Sequence, residues 1–254
     1  MPLIKLGKGD ALIMIRFEGV TKSYDKNTNI EINDMVINKG EIFGFLGPNG
    51  AGKTTTIKML VGLLKLSSGT IKVNNFDISL QPKEAKKMFA YIPDNPNLYE
   101  KLTAREFVKF VANLYGMKDC KELDEKIQNL LAKVELAAKA DNLIETYSHG
   151  MKQKAQIAAA LIHSPEILIL DEPFVGLDPA GVKIVKNILK EYAENGKTVF
   201  ISTHILDVVE NLCTKIAVIQ KGKIKYIGSV DELKSIEDNE TLEDSFLNLV
   251  KSDV

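Results

Sequence analysis

The chain lacks tryptophan, has two cysteines and few aromatic residues, and carries almost no net charge. Because Cys120 and Cys213 are far apart and form no cluster with metal-ligand spacing, we expect reduced structural thiols and neither a disulfide framework nor a zinc site. A net charge of −1 supplies no overall basic excess, so no nucleic-acid partner is expected. No apolar run approaches the roughly 18 to 20 residues that cross a bilayer, and no cleavable signal peptide is visible. We therefore expect a chain that does not span a membrane by itself.

Short apolar segments recur along the chain and alternate with helical patterns. The length of 254 residues, 45% of them hydrophobic, suits one large α/β domain or a core with an inserted subdomain. Residues 14–17, 41–46, 90–93, 166–171 and 197–202 are typical of strands. Strands that alternate with helices predict a parallel sheet with right-handed crossovers.

Residues 101–163 carry no convincing strand. Thr103 and Glu106 form a capping box at the start of one predicted helix, a second helix spans about 121–134, and a third begins at Gly150. We therefore predict an all-helical insertion. The predicted units are an α/β core (14–94 and 165–230), a helical subdomain (95–164), a C-terminal helical tail (231–254) whose apolar stripe packs on the core, and an extension (1–13). An upstream translation start or a cloning remnant explains that extension as well as a functional arm does.

A glycine-rich segment lies between the strand at 41–46 and a predicted helix at 54–64. It matches the phosphate-binding pattern G-x-x-x-x-G-K-[ST]. Its residues are Gly47, Pro48, Asn49, Gly50, Ala51, Gly52, Lys53 and Thr54, followed by Thr55. In such a loop the backbone N–H groups and the helix N-terminus bind an anion, while Lys53 reaches the terminal phosphates and Thr54 ligates Mg²⁺. A chance glycine-rich turn is the alternative, and the strand before and helix after count against it.

Two carboxylates and a histidine follow later strands. Asp171 ends an apolar strand, where a carboxylate is costly unless a cation such as Mg²⁺, held jointly with Thr54, lies nearby. Glu172 comes next and is suited to accept a proton from attacking water. A pair of surface salt bridges is the alternative for these acids. His204 follows another strand; it either contacts the terminal phosphate or, as a lone histidine more often does, has a structural role.

On these motifs the chain resembles the ATP-binding subunit of ABC transporters from about Met14 to Gly228. Lys53 and Thr54 match the Walker A loop, and residues 168–173 match Walker B with Glu172 as its catalytic glutamate. Asp178 matches the D-loop, and His204 matches the switch histidine. Tyr24 stands where the family stacks an aromatic ring on adenine, although simple strand packing also accounts for it. The signature position is occupied by Ser148, His149, Gly150 and Met151.

The resemblance implies a fold, two cofactors and two partners. The expected fold class is α/β: a P-loop NTPase core with a parallel central sheet, an N-terminal antiparallel β subdomain and an inserted helical subdomain. ATP and Mg²⁺ are expected between two nucleotide-binding subunits, identical or different, with Ser148 and Gly150 facing the partner's ATP. ATP hydrolysis would drive transport through a separate permease that docks near residues 95–110. The form is most similar to exporter-type ATPases, peripheral on the cytoplasmic face of the cell membrane.

Two departures from the family pattern bear on turnover. His149 and Met151 replace the usual signature residues, so the His149 side chain must contact the phosphate or turn away from it. Asp94 stands where the family carries a glutamine; we expect it to approach the metal, with Asn95 or a plain turn as alternatives. A soluble non-transport ABC ATPase and a regulatory, low-turnover partner in a heterodimer remain alternative functions.

Overall fold

The computed structural model describes residues 12–24, 29–95, 98–236 and 241–251. Within these ranges strands and helices alternate along most of the chain, and two short 3₁₀ turns precede the fifth helix. The elements are β1 (Ile13–Ser23), β2 (Asn29–Asn38), β3 (Ile42–Leu46), α1 (Lys53–Leu60), β4 (Ser68–Val73), β5 (Phe76–Asp77), α2 (Pro82–Met88), β6 (Phe89–Ile92), α3 (Ala104–Leu114), α4 (Lys121–Lys133), α5 (His149–Leu161), β7 (Ile167–Asp171), α6 (Pro179–Glu194), β8 (Thr198–Thr203), α7 (Leu206–Leu212), β9 (Lys215–Gln220), β10 (Lys223–Gly228), α8 (Val230–Ile236) and α9 (Leu242–Lys251).

The described strands form one sheet in the order β5-β4-β1-β2-β10-β9-β3-β8-β7-β6. Strands β9, β3, β8, β7 and β6 run parallel to one another, whereas β1 pairs antiparallel with β2 and β4. Strand β10 joins the two halves, because it pairs antiparallel with β9 and parallel with β2. The predicted fold class, with a parallel core and an N-terminal antiparallel part, is confirmed.

The two faces of the central strands build two hydrophobic cores. Successive strand residues point to opposite faces, and in β7 Leu168 and Leu170 contact the core that includes α3 to α6. Ile167 and Ile169 contact the other core, which includes β1, β2 and α1. Burial on both faces explains why β7 is apolar throughout and does not alternate with polar residues. Asp171, the last residue of this strand, therefore lies at the end of a fully buried segment.

The helical segment begins with the predicted capping box. The Thr103 hydroxyl accepts a hydrogen bond from the Glu106 amide at 3.2 Å, and the Glu106 carboxylate accepts one from the Thr103 amide at 2.9 Å. The apolar sides of α3, α4 and α5 then pack together, and their core continues without a break to Leu170 and Ile201 of the sheet. Helical character between residues 101 and 163 is confirmed; the exact division into units stays a prediction.

Two local predictions differ from the structure, and one helix has no prediction from the sequence. Helix α1 ends at Leu60 and not at residue 64, since the chain turns at Gly62, which has a φ of 70°. Helix α5 begins one residue before Gly150, because Ser148 is its N-cap. Helix α2 was not predicted; Ala85 is its one buried residue among those described, so its sequence lacks an apolar period.

The C-terminal helices pack on the chain's own core, as predicted for the tail. Leu242 of α9 is buried in a cluster with Leu233 of α8 and Val218 of β9, and Phe246 packs against it. The predicted extension lies outside the described residues except for its last two positions, where β1 begins at Ile13. Among the helices of the described ranges, none combines the length and apolarity that crossing a membrane requires.

The capping box yields a stability prediction. Thr103→Ala removes the side-chain acceptor at the N-terminus of α3 and should lower the free energy of unfolding by about 1 kcal/mol. Thr103→Ser keeps the acceptor and should stay close to the wild type. Urea denaturation of the three proteins measures the difference. Equal stability of the alanine and serine variants would show that this cap does not stabilise the helix.

Candidate functional site

The sheet brings the ends of several parallel strands to one edge. Leu46, the last residue of β3, is in register with Thr203 of β8. Asp171, the last residue of β7, is in register with Ser202 of β8. Loops that follow neighbouring parallel strands therefore meet at this edge, which is where open α/β sheets bind ligands.

The phosphate-binding pattern forms the connection from β3 to α1. Residues 47–52 make the loop, and Lys53, Thr54 and Thr55 open the helix. Gly52 has a φ of 110°, a conformation that L-residues rarely adopt, and no side chain of the described residues caps the helix here. The first-turn N–H groups of a helix have no partner within it. This end of α1 therefore offers donors and a positive dipole to an anion.

Lys53 is buried, with 6% of its surface exposed. Its Nζ donates to the carbonyl oxygen of Gly47 at 2.7 Å and to that of Pro48 at 3.3 Å. It also lies 3.4 Å from Oε1 of Glu172. The ammonium group thus joins the glycine-rich loop to the acid that follows β7.

Asp171 is fully buried, and its two oxygens differ in their partners. Oδ1 accepts a hydrogen bond from the Ser202 hydroxyl, whereas Oδ2 has no hydrogen-bond partner among the described residues. Burial raises the pKa of the Asp171 carboxyl above its usual value. The hydroxyls of Ser202 and Thr54 oppose this rise in pKa, and the negative charges of Asp94 and Glu172 add to it.

These residues fit Mg²⁺. A buried carboxylate oxygen without a partner among the described residues is costly unless a cation meets it. Thr54, next to Lys53 at the start of α1, supplies a hydroxyl that lowers the pKa of Asp171. Within the described ranges no three acidic, histidine or cysteine side chains converge as a protein-only metal cage. Mg²⁺ does not require such a cage, since it is commonly held by one or two carboxylates, substrate phosphates and water.

Glu172 turns out of the strand in an unusual conformation. Its φ of 48° lies in the left-handed region that few non-glycine residues adopt. Its amide donates to the Ser202 carbonyl at 3.1 Å and to the Ser202 hydroxyl at 3.3 Å. Its Oε2 accepts a hydrogen bond from Nδ1 of His204 at 3.0 Å. The structure therefore brings Lys53, Glu172 and His204 together.

Asp94 follows β6 at the same edge and is exposed. Its Oδ1 accepts a hydrogen bond from the backbone N–H of Asn95 at 2.8 Å. Its charge nevertheless acts on the pKa of Asp171. Contact with a metal stays a prediction for Asp94.

Tyr24 directly follows β1 and has 56% of its surface exposed. The Lys22 ammonium lies 5.4 Å from the centre of its ring, within the range of a cation–π contact. A ring with this exposure is not buried by strand packing. Stacking on adenine stays a prediction.

The signature residues contact the loop between β7 and α6. Ser148 caps α5, with its hydroxyl accepting from the Met151 amide at 3.3 Å. Gly176 has a φ of 76°, and a Cβ built on it would lie 2.4 Å from Cδ2 of His149. The His149 ring therefore covers Gly176. A cavity of about 460 Å³ runs along this contact, lined by Ser148, His149, Gly150, Met151, Lys154, Gly176, Leu177 and Asp178.

Asp178 caps the next helix, because its Oδ1 accepts from the amide of Gly181 at 2.8 Å. The loop between β7 and α6 thus runs from Asp171 and Glu172 to Gly176, where the His149 ring packs.

Sequence reasoning gave no role to Ser202, which touches both Asp171 and Glu172. The sequence shows only a serine near the end of an apolar strand. The contacts of this serine with the two acids depend on the register of β7 with β8, which the sequence does not show.

Comparison with known proteins agrees with this geometry. The family model described as ABC transporter matches residues 31–175. The linearmycin resistance ATP-binding protein LnrL of Bacillus subtilis (strain 168) is 39% identical over 222 residues, which cover 87% of this chain and 71% of that protein. The bacitracin transport ATP-binding protein BcrA of Bacillus licheniformis is also 39% identical over 222 residues, with the same coverage of 87% and 71%.

Solved structures give the same result. A structure of the ATP-binding subunit of an ABC transporter superposes with a TM-score of 0.86 at 31% sequence identity, covering 93% of this chain and 99% of that chain. Sequence and fold therefore agree over nearly the whole length. The chain belongs to the ABC transporter family, as an ATP-binding subunit.

Proposed function

We propose that this chain hydrolyses ATP to ADP and phosphate, with Mg²⁺, and that this reaction powers transport through a separate membrane permease. One observation carries the proposal: the Glu172 carboxylate contacts both the Lys53 ammonium and the His204 ring, and it follows Asp171, whose Oδ2 has no hydrogen-bond partner among the described residues. A candidate base, a candidate phosphate-binding cation and a candidate metal-binding oxygen would thus share one edge of the sheet.

The loop provides the binding contacts. Lys53 now donates to two loop carbonyls and Glu172, and phosphate oxygens are acceptors of higher charge that would replace some of these partners. The helix N-terminus and the loop amides would surround the same anion. Tyr24 is the candidate for stacking on the base.

The acid pair provides the chemistry. Thr54 and Oδ2 of Asp171 would hold Mg²⁺, with Asp94 a candidate through a water molecule. When bound, Mg²⁺ neutralises phosphate charge. Glu172 accepts a proton from water as the water oxygen bonds to the terminal phosphorus and the bond to the ADP oxygen breaks. The Nδ1–H of His204 holds Oε2 of Glu172 in place.

Two subunits would complete the site. Family members dimerise and act with a permease, and we propose that Ser148 and Gly150 of one subunit face the ATP of the other. The hydroxyl, the α5 N-terminus and Lys154 along the adjoining cavity suit an anion. The structural roles found for Ser148 and His149 are compatible with this, because both residues also line the cavity.

Permease docking is proposed near residues 95–110. Tyr99 is 59% exposed there, whereas Leu98 packs against the helical core. A chain docked in this way would lie on the cytoplasmic face of the membrane. The relatives named for linearmycin resistance and bacitracin transport support an exporter-type partner.

Replacement of the loop lysine tests phosphate binding. Lys53→Ala should abolish ATP hydrolysis and strongly weaken ATP binding, because the buried cation at the loop is lost. Lys58→Ala, which removes an exposed lysine from the last turn of the same helix, should bind and hydrolyse ATP like the wild type. Calorimetry and phosphate release measure both properties. Unchanged turnover in Lys53→Ala would contradict the loop assignment.

Replacement of the base tests the chemistry. Glu172→Gln should reduce turnover by roughly 10²- to 10⁴-fold while ATP still binds, since the amide cannot accept the proton. Glu166 precedes the first residue of β7, at the end of the strand opposite to Glu172, and pairs with Lys197. Glu166→Gln is therefore the control and should retain turnover.

Light scattering of Glu172→Gln with Mg²⁺ and ATP should show a dimer, measured with the partner subunit present if the natural pair consists of two different chains. Retained turnover in Glu172→Gln would show that another residue is the base. A strictly monomeric profile, both for the chain alone and for its mixture with the partner subunit, would contradict a nucleotide site shared by two subunits.

The contact between the signature and the D-loop gives a further prediction. Gly176→Ala and Gly40→Ala both place a side chain at positive φ, 76° and 78°, and each should cost about 1–2 kcal/mol of stability. Only Gly176→Ala should displace the His149 ring, since the nearest described atom to a Cβ on Gly40 is the carbonyl oxygen of Ala193 at 4.0 Å. NMR spectra of the three histidines should show one shifted imidazole in Gly176→Ala and none in Gly40→Ala. Identical spectra would exclude the contact.

A further inference from the structure

Ser202 touches both acids of the site through one hydroxyl group. It lies on β8 in register with Asp171 and is fully buried. Its Oγ donates to Oδ1 of Asp171 and accepts from the amide of Glu172 at 3.3 Å. A serine hydroxyl has one hydrogen to donate and two lone pairs to accept. Both bonds can therefore exist at once.

The first bond sets the orientation of Asp171. With Oδ1 held by Ser202, the carboxylate is fixed with Oδ2 as the oxygen that lacks a partner among the described residues. Such an oxygen is unfavourable in a buried place unless a cation satisfies it. The serine therefore determines which oxygen is left for a metal ion.

The second bond sets the backbone of Glu172. Both the carbonyl and the hydroxyl of Ser202 accept from the Glu172 amide, at 3.1 and 3.3 Å. Left-handed φ values at non-glycine residues persist where surrounding contacts enforce them. Here that conformation carries the carboxylate to Lys53 and His204.

We propose that Ser202 is a positioning residue for ATP hydrolysis. Its hydroxyl bonds to one oxygen of Asp171 and leaves the other for Mg²⁺, and it holds the backbone of Glu172 in the left-handed conformation. This inference rests on the proposed function. Ser202 contacts neither the nucleotide nor the reacting atoms in this assignment. It acts through the two acids, as partners that orient metal ligands do in other sites.

The experiment compares Ser202→Ala, Ser202→Thr and Thr198→Ala with the wild type. Thr198 is a matched control, because it is equally buried on the same strand and its hydroxyl also bonds to backbone, at the far end of β8. Electron paramagnetic resonance measures Mn²⁺ binding in the presence of a non-hydrolysable ATP analogue. Binding of the analogue without metal, turnover against Mg²⁺ concentration, and thermal unfolding are measured in parallel.

In Ser202→Ala, Mn²⁺ binding should weaken roughly 10- to 100-fold, while metal-free nucleotide binding stays unchanged. The Mg²⁺ concentration for half-maximal turnover should rise accordingly. Ser202→Thr keeps the hydroxyl and should restore metal binding, and Thr198→Ala should leave it at the wild-type level. If Ser202→Ala does not fold, Ser202→Cys, a weak donor of similar size, replaces it with the same expectation.

Wild-type Mn²⁺ affinity in a folded Ser202→Ala would overturn the inference and leave the proposed function intact. Equal weakening in Thr198→Ala would also overturn it, because the effect would then be general to the strand. If the wild-type chain bound no metal–nucleotide complex, the proposed function would fail and this inference with it.

Discussion

The burial of one carboxylate at the end of a parallel strand is the constraint on which the site depends. Asp171 has no exposed surface, and among the described residues only its Oδ1 has a hydrogen-bond partner. A charge in that position is unfavourable without a cation. The same strand end sends Glu172 out of the sheet toward Lys53, so the arrangement that we propose to bind metal also places the proposed base.

The sheet and one loop connect the parts of the site. Register pairs Leu46 with Thr203 and Asp171 with Ser202, which brings the glycine-rich loop, both acids and His204 to one edge. The loop that begins after Asp171 reaches Gly176, where the His149 ring packs, and ends at the cap of α6.

Much of the fold could be predicted because its signals are local. The glycine-rich loop, the apolar strands and the capping box at Thr103 each follow from residue type and spacing. Helix α2 could not be predicted, since it buries one described side chain and has no apolar period. The roles of Ser202 and Gly176 depend on register and on contact between segments distant in sequence, which a single sequence does not display. Asp94 and Tyr24 remain predictions, because their roles depend on a bound ligand.

The most direct measurement is a crystal structure of the chain with Mg²⁺ and a non-hydrolysable ATP analogue. The account predicts the triphosphate within residues 47–54, with Lys53 Nζ on the terminal phosphates and Mg²⁺ between Thr54 and Oδ2 of Asp171. A nucleotide bound elsewhere, or a metal ion that avoids Asp171, would contradict it.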